Sequence, residues 1–196
     1  MIKVGVTGGI GSGKSLICKV FEKLGIPVFY ADKEAKKLLY DDPQVKKAMV
    51  DCFGKNIYDE KGIKKAFLAS KIFNNKDALR TVNSIVHPAV RKLFLKWARE
   101  KETALLPYVV EEAAILFESG AYKDLDLNIL VYAPEKLRIK RVMQRDNLDQ
   151  QHIKARIKHQ MKDEEKIQMA DEVIYNDESQ LVIPQILKIH QQLTKK

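Results

Sequence analysis

The sequence predicts an α/β fold in which helices cover both faces of a parallel, five-stranded sheet. Short apolar segments alternate along the chain with segments of helical periodicity, the order from which right-handed crossovers build parallel sheets. A glycine-rich turn stands between the first apolar segment and the first helical one. The chain has 196 residues, 45% of them hydrophobic and 31% charged, which is enough apolar material for a core.

The predicted elements begin with a strand over residues 2–7, where apolar and more polar residues alternate. A helix follows the glycines, with apolar residues at helical spacing, and Gly25 ends it. Residues 27–30 are predicted to form a second strand, lying next to the first in the sheet. Asp32 comes just beyond its carboxyl end, the edge where open α/β sheets bind ligands.

The middle of the chain, residues 43–102, changes to helical segments rich in Lys and Asn, and no strand is predicted there. His87 precedes Pro88, which predicts a corner between two helices because the residue before a proline avoids helical geometry. The alternation then resumes with three predicted strands, at residues 105–110, 125–132 and 172–175.

Two helices between the last two strands carry part of the charge excess. Pro134 opens the first, and Ile153 and Ile157 mark the second. Residues 136–162 hold nine Lys or Arg against two Asp or Glu, within a formal net charge of +9. Such a charge favours anionic partners without choosing among them. The chain closes with one apolar helical face made of Val182, Ile186, Ile189 and Leu193.

The glycine-rich turn reads GGIGSGKS over residues 8–15 and satisfies the phosphate-loop pattern G-x-x-x-x-G-K-[ST] in full. Glycines let successive backbone N–H groups curl around a phosphate, and the helix that follows points its positive end at the same charge. Lys14 is predicted to reach the β- and γ-phosphates of a nucleotide, and the Ser15 hydroxyl to be a ligand of Mg²⁺.

Rival classes of nucleotide-binding protein fit less well. A dinucleotide fingerprint starting at Gly9 fails because its last glycine would fall on Lys14. The two GTPase-like matches, at residues 59–62 and 75–78, lack the required strand context and the final aspartate. A motor or helicase would carry a clear acidic strand end, for which residues 111–112 are the sole candidate. A small P-loop kinase remains, with a helical insertion that binds the acceptor and a basic helical lid.

An ordered set of motifs resembles dephospho-coenzyme A kinases and spans nearly the whole chain. Its members are VGVTGGIGSGKS at 4–15, YAD at 30–32, HP at 87–88, AILFE at 114–118, RVMQRD at 141–146, ARI at 155–157 with Gln160, and ADEVIYN at 170–176. The family often has Asp at 112 and Gly at 178, where this chain has Glu112 and Glu178. The first difference leaves open whether Glu112 joins the magnesium shell.

The resemblance implies a three-layer P-loop kinase fold and a phosphoryl-transfer reaction. The reaction is transfer of the γ-phosphoryl group of ATP, with Mg²⁺, to the 3′-hydroxyl of dephospho-coenzyme A. It implies a nucleotide-binding core at residues 1–42, 104–133 and 169–196, an acceptor domain at 43–103 and a lid at 134–168. It implies catalytic roles for Asp32, Lys14 and Arg145; nucleotide contacts for Gly9, Gly11, Ser12, Gly13, Lys14, Ser15, Leu16, Arg141 and Asn176; and acceptor contacts for Thr7, Asp32, His87, Arg91, Glu118 and Arg156.

Several of these residues have simpler interpretations. Asp32 is positioned to cap the next helix, as well as to orient the acceptor hydroxyl. His87 is open to a purely structural hydrogen bond. Arg141 and Arg145, four apart on one helix face, and Arg156 suit the charge of a transferring phosphoryl group, but each could form a surface ion pair, with Asp146 for example.

Other function classes remain open on the sequence alone. A kinase for another small alcohol or nucleotide is separated only by the family motifs. A nucleic-acid-binding ATPase would also suit the charge, but aromatic residues are not interleaved with the basic run, so no nucleic-acid partner is expected. No apolar run has the length of a membrane span or a signal peptide, so the expected compartment is the cytoplasm, with no membrane partner. The oligomeric state stays open.

Overall fold

The computed structural model of the chain describes residues 1–60, 62–72, 75–102, 104 and 106–195. Its residue contacts divide it into two compact units. The first contains Met1–Tyr30 and Ala98–Lys196, and the second is Ala31–Trp97. Within the described ranges, none of the helices combines the length and apolar character needed to cross a bilayer.

The secondary structure follows the predicted alternation. The strands are β1 Ile2–Thr7, β2 Val28–Tyr30, β3 Tyr58–Asp59, β4 Gly62–Ile63, β5 Tyr108–Glu112, β6 Leu127–Tyr132 and β7 Glu172–Tyr175. The helices are α1 Lys14–Lys23, α2 Ala31–Asp41, α3 Pro43–Phe53, α4 Lys65–Ile72, α5 Lys76–Glu102, α6 Glu135–Asp146, α7 Gln150–Lys158, α8 Asp163–Met169 and α9 Val182–Thr194. Short 3-10 turns occupy Lys55–Ile57 and Ala121–Asp124.

The sheet of the first unit has five parallel strands in the order β2-β5-β1-β6-β7, which confirms the predicted α/β class. The prediction that β2 lies next to β1 is wrong, because β5 pairs with both. The crossover through α1 skips one position in the sheet. Strand β5, all of whose residues are buried, fills that position later in the chain.

The third predicted strand, residues 105–110, is shifted toward the carboxyl end. The observed strand is Tyr108–Glu112, and Leu105 lies outside the described residues. Pro107 has no N–H for a sheet ladder, but its carbonyl accepts a hydrogen bond from the Ile2 N–H at 3.2 Å. The strand extends through Glu111 and Glu112, which are buried although their side chains are ionisable.

The core of the first unit lies between the sheet, α1 and α9. Phe21 of α1 meets Tyr108 of β5 edge to face, with ring centroids 6.2 Å apart. The predicted apolar face of α9 is confirmed, because Ile186, Ile189 and Leu193 are buried in this cluster and Val182 packs against it.

The second unit is mostly helical and differs from the prediction in two places. Strands β3 and β4 form a short antiparallel hairpin where no strand was expected. The predicted corner at His87-Pro88 is also wrong, because α5 runs straight through Pro88. Buried residues at four-residue spacing continue on both sides of the proline: Val82, Val86, Val90, Phe94 and Ala98. Burying this face offsets the roughly 3 kcal/mol that proline costs inside a helix.

Candidate active site

The phosphate loop connects the end of β1 to the start of α1, as the motif requires. Gly13 stands at the helix N-cap with φ of 98°, a left-handed conformation that favours glycine. The N–H groups of Leu16 and Ile17 bond to the Gly13 carbonyl, at 2.9 and 3.2 Å. No acidic residue occurs in the first turn of α1, so no carboxylate of this turn neutralises the positive end of the helix dipole.

The motif residues Lys14 and Ser15 lie in the first turn of α1, together with Leu16. The Lys14 ammonium is buried and donates a 2.9 Å hydrogen bond to the carbonyl of Gly8. Leu16 points outward and is 62% exposed. The lysine therefore reaches back over the loop, which is where a phosphate-binding cation is needed.

Two buried hydroxyl groups mark the same place. Within the part of the chain that the structure describes, Thr7 Oγ1 and Ser12 Oγ are buried and make no hydrogen bond. Leaving a buried polar group without a partner costs roughly 1–3 kcal/mol. Both residues were predicted from the sequence to contact substrate or nucleotide, and their unsatisfied hydroxyls agree with a polar ligand.

Asn176 and Arg141 lie beside the carboxyl half of the loop. Asn176 Nδ2 donates a 2.7 Å hydrogen bond to the Ser12 carbonyl, and a side chain at Gly13 would collide with that amide. Arg141 of α6 donates from Nη1 to the Asn176 carbonyl at 3.0 Å, and its Nη2 lies 3.3 Å from Glu178 Oε1. Residues 141 and 176, which the sequence assigns to the nucleotide, are thus brought together around Ser12 and Gly13.

Two contacts on the other half of the loop were missed by the sequence analysis. Gln160 accepts a 2.9 Å hydrogen bond from the Ile10 N–H. Arg138 of α6 is buried, and its guanidinium lies where a side chain at Gly9 would be. The signal for Arg138 was its spacing, because it stands four residues before buried Val142 on the apolar face of the helix.

Two other predicted site residues contact protein groups away from the phosphate loop, and a third is exposed. Glu118 accepts a hydrogen bond from the Met161 N–H at 2.8 Å and lies 3.0 Å from the ammonium of buried Lys166. Arg145 forms the paired hydrogen bonds with Asp146 that the sequence left as its alternative, at 2.7 and 2.8 Å. The pair raises the pKa of Arg145 and lowers the pKa of Asp146. Arg156 is exposed on α7.

Strand β5 ends in Glu111 and Glu112, and pKa shifts show that the two carboxyl groups lie in different electrostatic environments. Burial raises the pKa of the Cys18 thiol, the charge of Glu112 raises it further, and Lys14 opposes the shift. Glu112 is therefore close enough to act electrostatically on the first helix beside the loop. Burial, with the nearby charge of Asp124, raises the pKa of Glu111 to about 8, a consequence that no sequence motif signals.

The second unit holds the remaining candidates. Asp32 is the second residue of α2 and is exposed, so it lies inside the first turn rather than at the capping position considered from the sequence. Burial lowers the pKa of His87, and the charge of Asp32 opposes this shift. The two side chains are thus electrostatically coupled within one unit. Arg91 is exposed on α5, one turn after His87.

A divalent cation fits the first unit by the chemistry of its donors. The Ser15 hydroxyl and the Glu112 carboxylate are hard oxygen ligands, the kind that Mg²⁺ prefers. Among the described residues there is no cluster of three or more His, Cys, Asp or Glu that would hold a metal ion by itself.

A parallel sheet with a phosphate loop between its first strand and first helix defines a P-loop nucleotide-binding protein. Comparison with known proteins narrows the class. A family model described as dephospho-CoA kinase matches residues 2–181. A dephospho-CoA kinase of Bacteroides fragilis (strain YCH46) is 41% identical over 96% of this chain and 91% of its own length.

Solved structures agree with this assignment. A dephospho-CoA kinase from Campylobacter jejuni has a TM-score of 0.72 at 32% identity, covering 98% of this chain and 97% of its own. A structure from Thermus thermophilus has a TM-score of 0.81 at 30% identity, covering 97% and 96%. The chain belongs to the dephospho-CoA kinase family and is an ATP-dependent kinase of the P-loop class.

Proposed function

We propose that this chain transfers the γ-phosphoryl group of ATP to the 3′-hydroxyl of dephospho-coenzyme A, the last step of coenzyme A synthesis. The observation that carries the proposal is the complete phosphate loop, with its Lys14 ammonium turned over the loop and two unsatisfied hydroxyls beside it, in a chain of this family. Such a loop binds a nucleoside triphosphate through backbone N–H groups, a helix N-terminus and one lysine.

Each candidate in the first unit has a proposed task. Lys14 neutralises charge on the β- and γ-phosphates, while Gly9, Gly11, Ser12 and Gly13 let the loop approach them closely. Ser15 holds Mg²⁺, with Glu112 as a further oxygen donor. When bound, that ion neutralises developing negative charge on the phosphate oxygens. Arg141, Asn176 and Leu16 line the adenosine side, and Arg145 leaves its exposed pair with Asp146 to meet the transferring phosphoryl group.

Three residues of the second unit, Asp32, His87 and Arg91, have proposed tasks on the acceptor. The Asp32 carboxylate accepts the proton of the 3′-hydroxyl as its oxygen attacks the γ-phosphorus. The bond from that phosphorus to the bridging oxygen breaks, and ADP leaves with the electron pair. His87 and Arg91 contact the acceptor within residues 43–103, and Thr7, Glu118 and Arg156 complete the acceptor set.

Residues 134–168 are proposed to form a lid. Within this range, Arg156 lies on the exposed surface of α7. Asn147 follows the last residue of α6 in a left-handed conformation, which separates α6 from α7. Hydrogen exchange across α7, with and without a non-hydrolysable ATP analogue, should show slower exchange in the complex. Equal exchange in both states would contradict the lid.

A substrate panel tests the reaction directly. ADP release should be measured with dephospho-coenzyme A, AMP, adenosine and single-stranded RNA, each at matched concentration, and the phosphorylated position of the product identified. We expect dephospho-coenzyme A to be preferred strongly, because its pantetheine and pyrophosphate add binding contacts that hold the 3′-hydroxyl in line. Preference for AMP would indicate a general small-molecule kinase, and stimulation by RNA would indicate a nucleic-acid-dependent ATPase. The proposed compartment is the cytoplasm.

A further inference from the structure

Arg138 is a buried cation next to the phosphate loop. It is 3% exposed, which is unusual for a charged side chain, and buried charges need partners. Its Nε donates a 3.0 Å hydrogen bond to the carbonyl of Ala133, where the chain leaves β6. Its Nη2 lies 2.6 Å from Oδ2 of Asp163, in the first turn of α8. The guanidinium is therefore fixed in position by groups from two separate elements.

The fixed guanidinium lies directly against the loop backbone. A Cβ at Gly9 would collide with Nη1, and one at Gly11 would come within 2.5 Å of the Arg138 carbonyl oxygen. The guanidinium and the backbone carbonyl of Arg138 therefore occupy the space that a side chain at Gly9 or Gly11 would need. Between those glycines, the Ile10 N–H is held by Gln160. The first half of the loop is confined from both α6 and the segment after α7.

Stability alone is a weak reason for such a pair. Burying two charges costs desolvation energy that their attraction often fails to recover, so an apolar pair would hold α6 to α8 equally well. An apolar side chain at 138 would, however, bring no positive charge beside a loop that binds phosphates. Charges interact more strongly when water is excluded, so a buried cation at Gly9 acts on that loop effectively.

We propose that Arg138, held by Asp163, is a positioning residue for ATP: it fixes the Gly9–Ile10 backbone and turns the positive end of a buried ion pair toward the phosphate loop. This inference rests on the proposed function, because it assumes that the loop binds ATP. It concerns nucleotide affinity and makes no claim on the acceptor. It also assigns Asp163 a role only through Arg138.

The test compares Arg138→Met, Arg138→Lys and Asp163→Asn with the wild type. Direct ATP binding by calorimetry and the KM for ATP are measured together with kcat and the KM for dephospho-coenzyme A. Because Arg138→Met removes both the cation beside the loop and the support it gives to the Gly9 backbone, we expect about tenfold weaker ATP binding, which corresponds to about 1.4 kcal/mol. Arg138→Lys keeps the charge but lacks the forked guanidinium, so its ATP affinity should lie between those of Arg138→Met and the wild type. In these variants, kcat and the KM for dephospho-coenzyme A should change less than about twofold.

A matched control removes an ion pair elsewhere in the same unit. Asp126 pairs with Lys3 at 3.8 Å and accepts the Lys3 N–H at 2.7 Å, at the amino end of β1. Asp126→Asn should leave ATP binding unchanged. The double variant Arg138→Met, Asp163→Asn should bind ATP no more weakly than Arg138→Met alone, because Asp163 acts through the arginine.

Unchanged ATP affinity in a folded Arg138→Met protein would overturn the inference. If that variant does not fold, unchanged affinity in both Arg138→Lys and Asp163→Asn would overturn it equally. Strictly additive losses in the double variant would contradict the role of Asp163. Direct ATP binding keeps this outcome separate from the reaction: a wild type that binds ATP but does not phosphorylate dephospho-coenzyme A would contradict only the proposed function.

Discussion

The phosphate loop is held by side chains from three parts of the first unit, whereas Asp32 and His87 stand on two helices of the second. Asn176, Arg138 and Gln160 each contact a different stretch of the loop. Asp32 is exposed, and its described link to His87 is an electrostatic one. The loop is therefore held in shape by side chains of its own unit.

This difference predicts that variants of the loop and variants of the second unit will have different kinetic effects. Changes in the loop should alter ATP affinity and turnover together, because the loop contacts the phosphates in the ground state and in the transition state. Changes in the second unit should alter turnover or acceptor affinity and leave ATP affinity intact. Each variant below tests that division.

Lys14→Ala should have the largest effect, because it removes the ammonium that lies over the loop and leaves the backbone cradle in place. We expect activity to fall on the order of 10²-fold or more, as for other electrostatic groups at reacting centres. Steady-state kinetics measure this, with Lys19→Ala as control, since Lys19 is exposed on the same helix. Wild-type turnover in Lys14→Ala would contradict the assignment of the loop.

Asp32→Asn should come next and should affect kcat. The amide keeps the shape of the side chain but accepts a proton poorly, so we expect kcat to fall by about 10²-fold with ATP binding retained. Glu34→Gln is a matched control, because Glu34 is the other acidic residue in the first turn of α2 and its loss weakens the same helix terminus. An equal, small effect in both variants would show that Asp32 acts only on the helix.

His87→Ala should raise the KM for dephospho-coenzyme A. A hydrogen bond to a charged group contributes about 1.5–3 kcal/mol, so we expect an increase of about tenfold or more, with the KM for ATP unchanged. Ser84→Ala, exposed one turn earlier on α5, is the control. An effect confined to ATP would exclude His87 from the acceptor side.

The same residue has a pH signature. The folded pKa of His87 lies below its ordinary value of 6.5, so the unfolded chain binds more protons there as the pH falls. Protonation therefore favours unfolding. The free energy of unfolding should decrease as the pH falls from about 7 to 5, and His87→Gln should weaken this dependence. An identical pH dependence in the variant would contradict the burial of this imidazole.

The sequence predicts what depends on local order along the chain and misses what depends on packing. Lys14 and Ser15 are predictable because strand, loop and helix follow one another in the motif. The position of β5 between β2 and β1 is not, because no local pattern records which strand fills a skipped place. Pro88 is misleading since the burial of Val86 and Val90, a tertiary effect, outweighs its local preference.

Charged residues on apolar faces show the same limit at the site. Arg138 resembles any other member of a basic helix until its burial is seen. Glu111 is an ionisable residue at a position where a central strand is expected to be apolar, and burial raises its pKa to about 8, which favours the neutral form. Spacing places Arg138 on the apolar face of α6, but the surroundings of both residues come from strands and helices distant in sequence, so no pattern within one element reveals what they contact.

Glu178→Gly should have the smallest effect and tests the rim of the nucleotide site. Glu178 has φ of 69°, a left-handed conformation that costs a residue with a side chain about 1–2 kcal/mol relative to glycine. Its exposed ion pair with Arg141 contributes at most about 1 kcal/mol to the free energy of unfolding. We therefore expect Glu178→Gly to raise the free energy of unfolding by up to about 1 kcal/mol, measured by denaturant titration.

Glu178→Gln separates the two contributions, because it keeps the backbone strain and removes the charge. It should leave the stability unchanged or lower it slightly, while both variants free Arg141 from Glu178 and change the KM for ATP by the same small factor, about threefold at most. If Glu178→Gly were less stable than the wild type, the ion pair would outweigh the strain. The carboxylate would then be a stabilising partner of Arg141 at the rim of the nucleotide site.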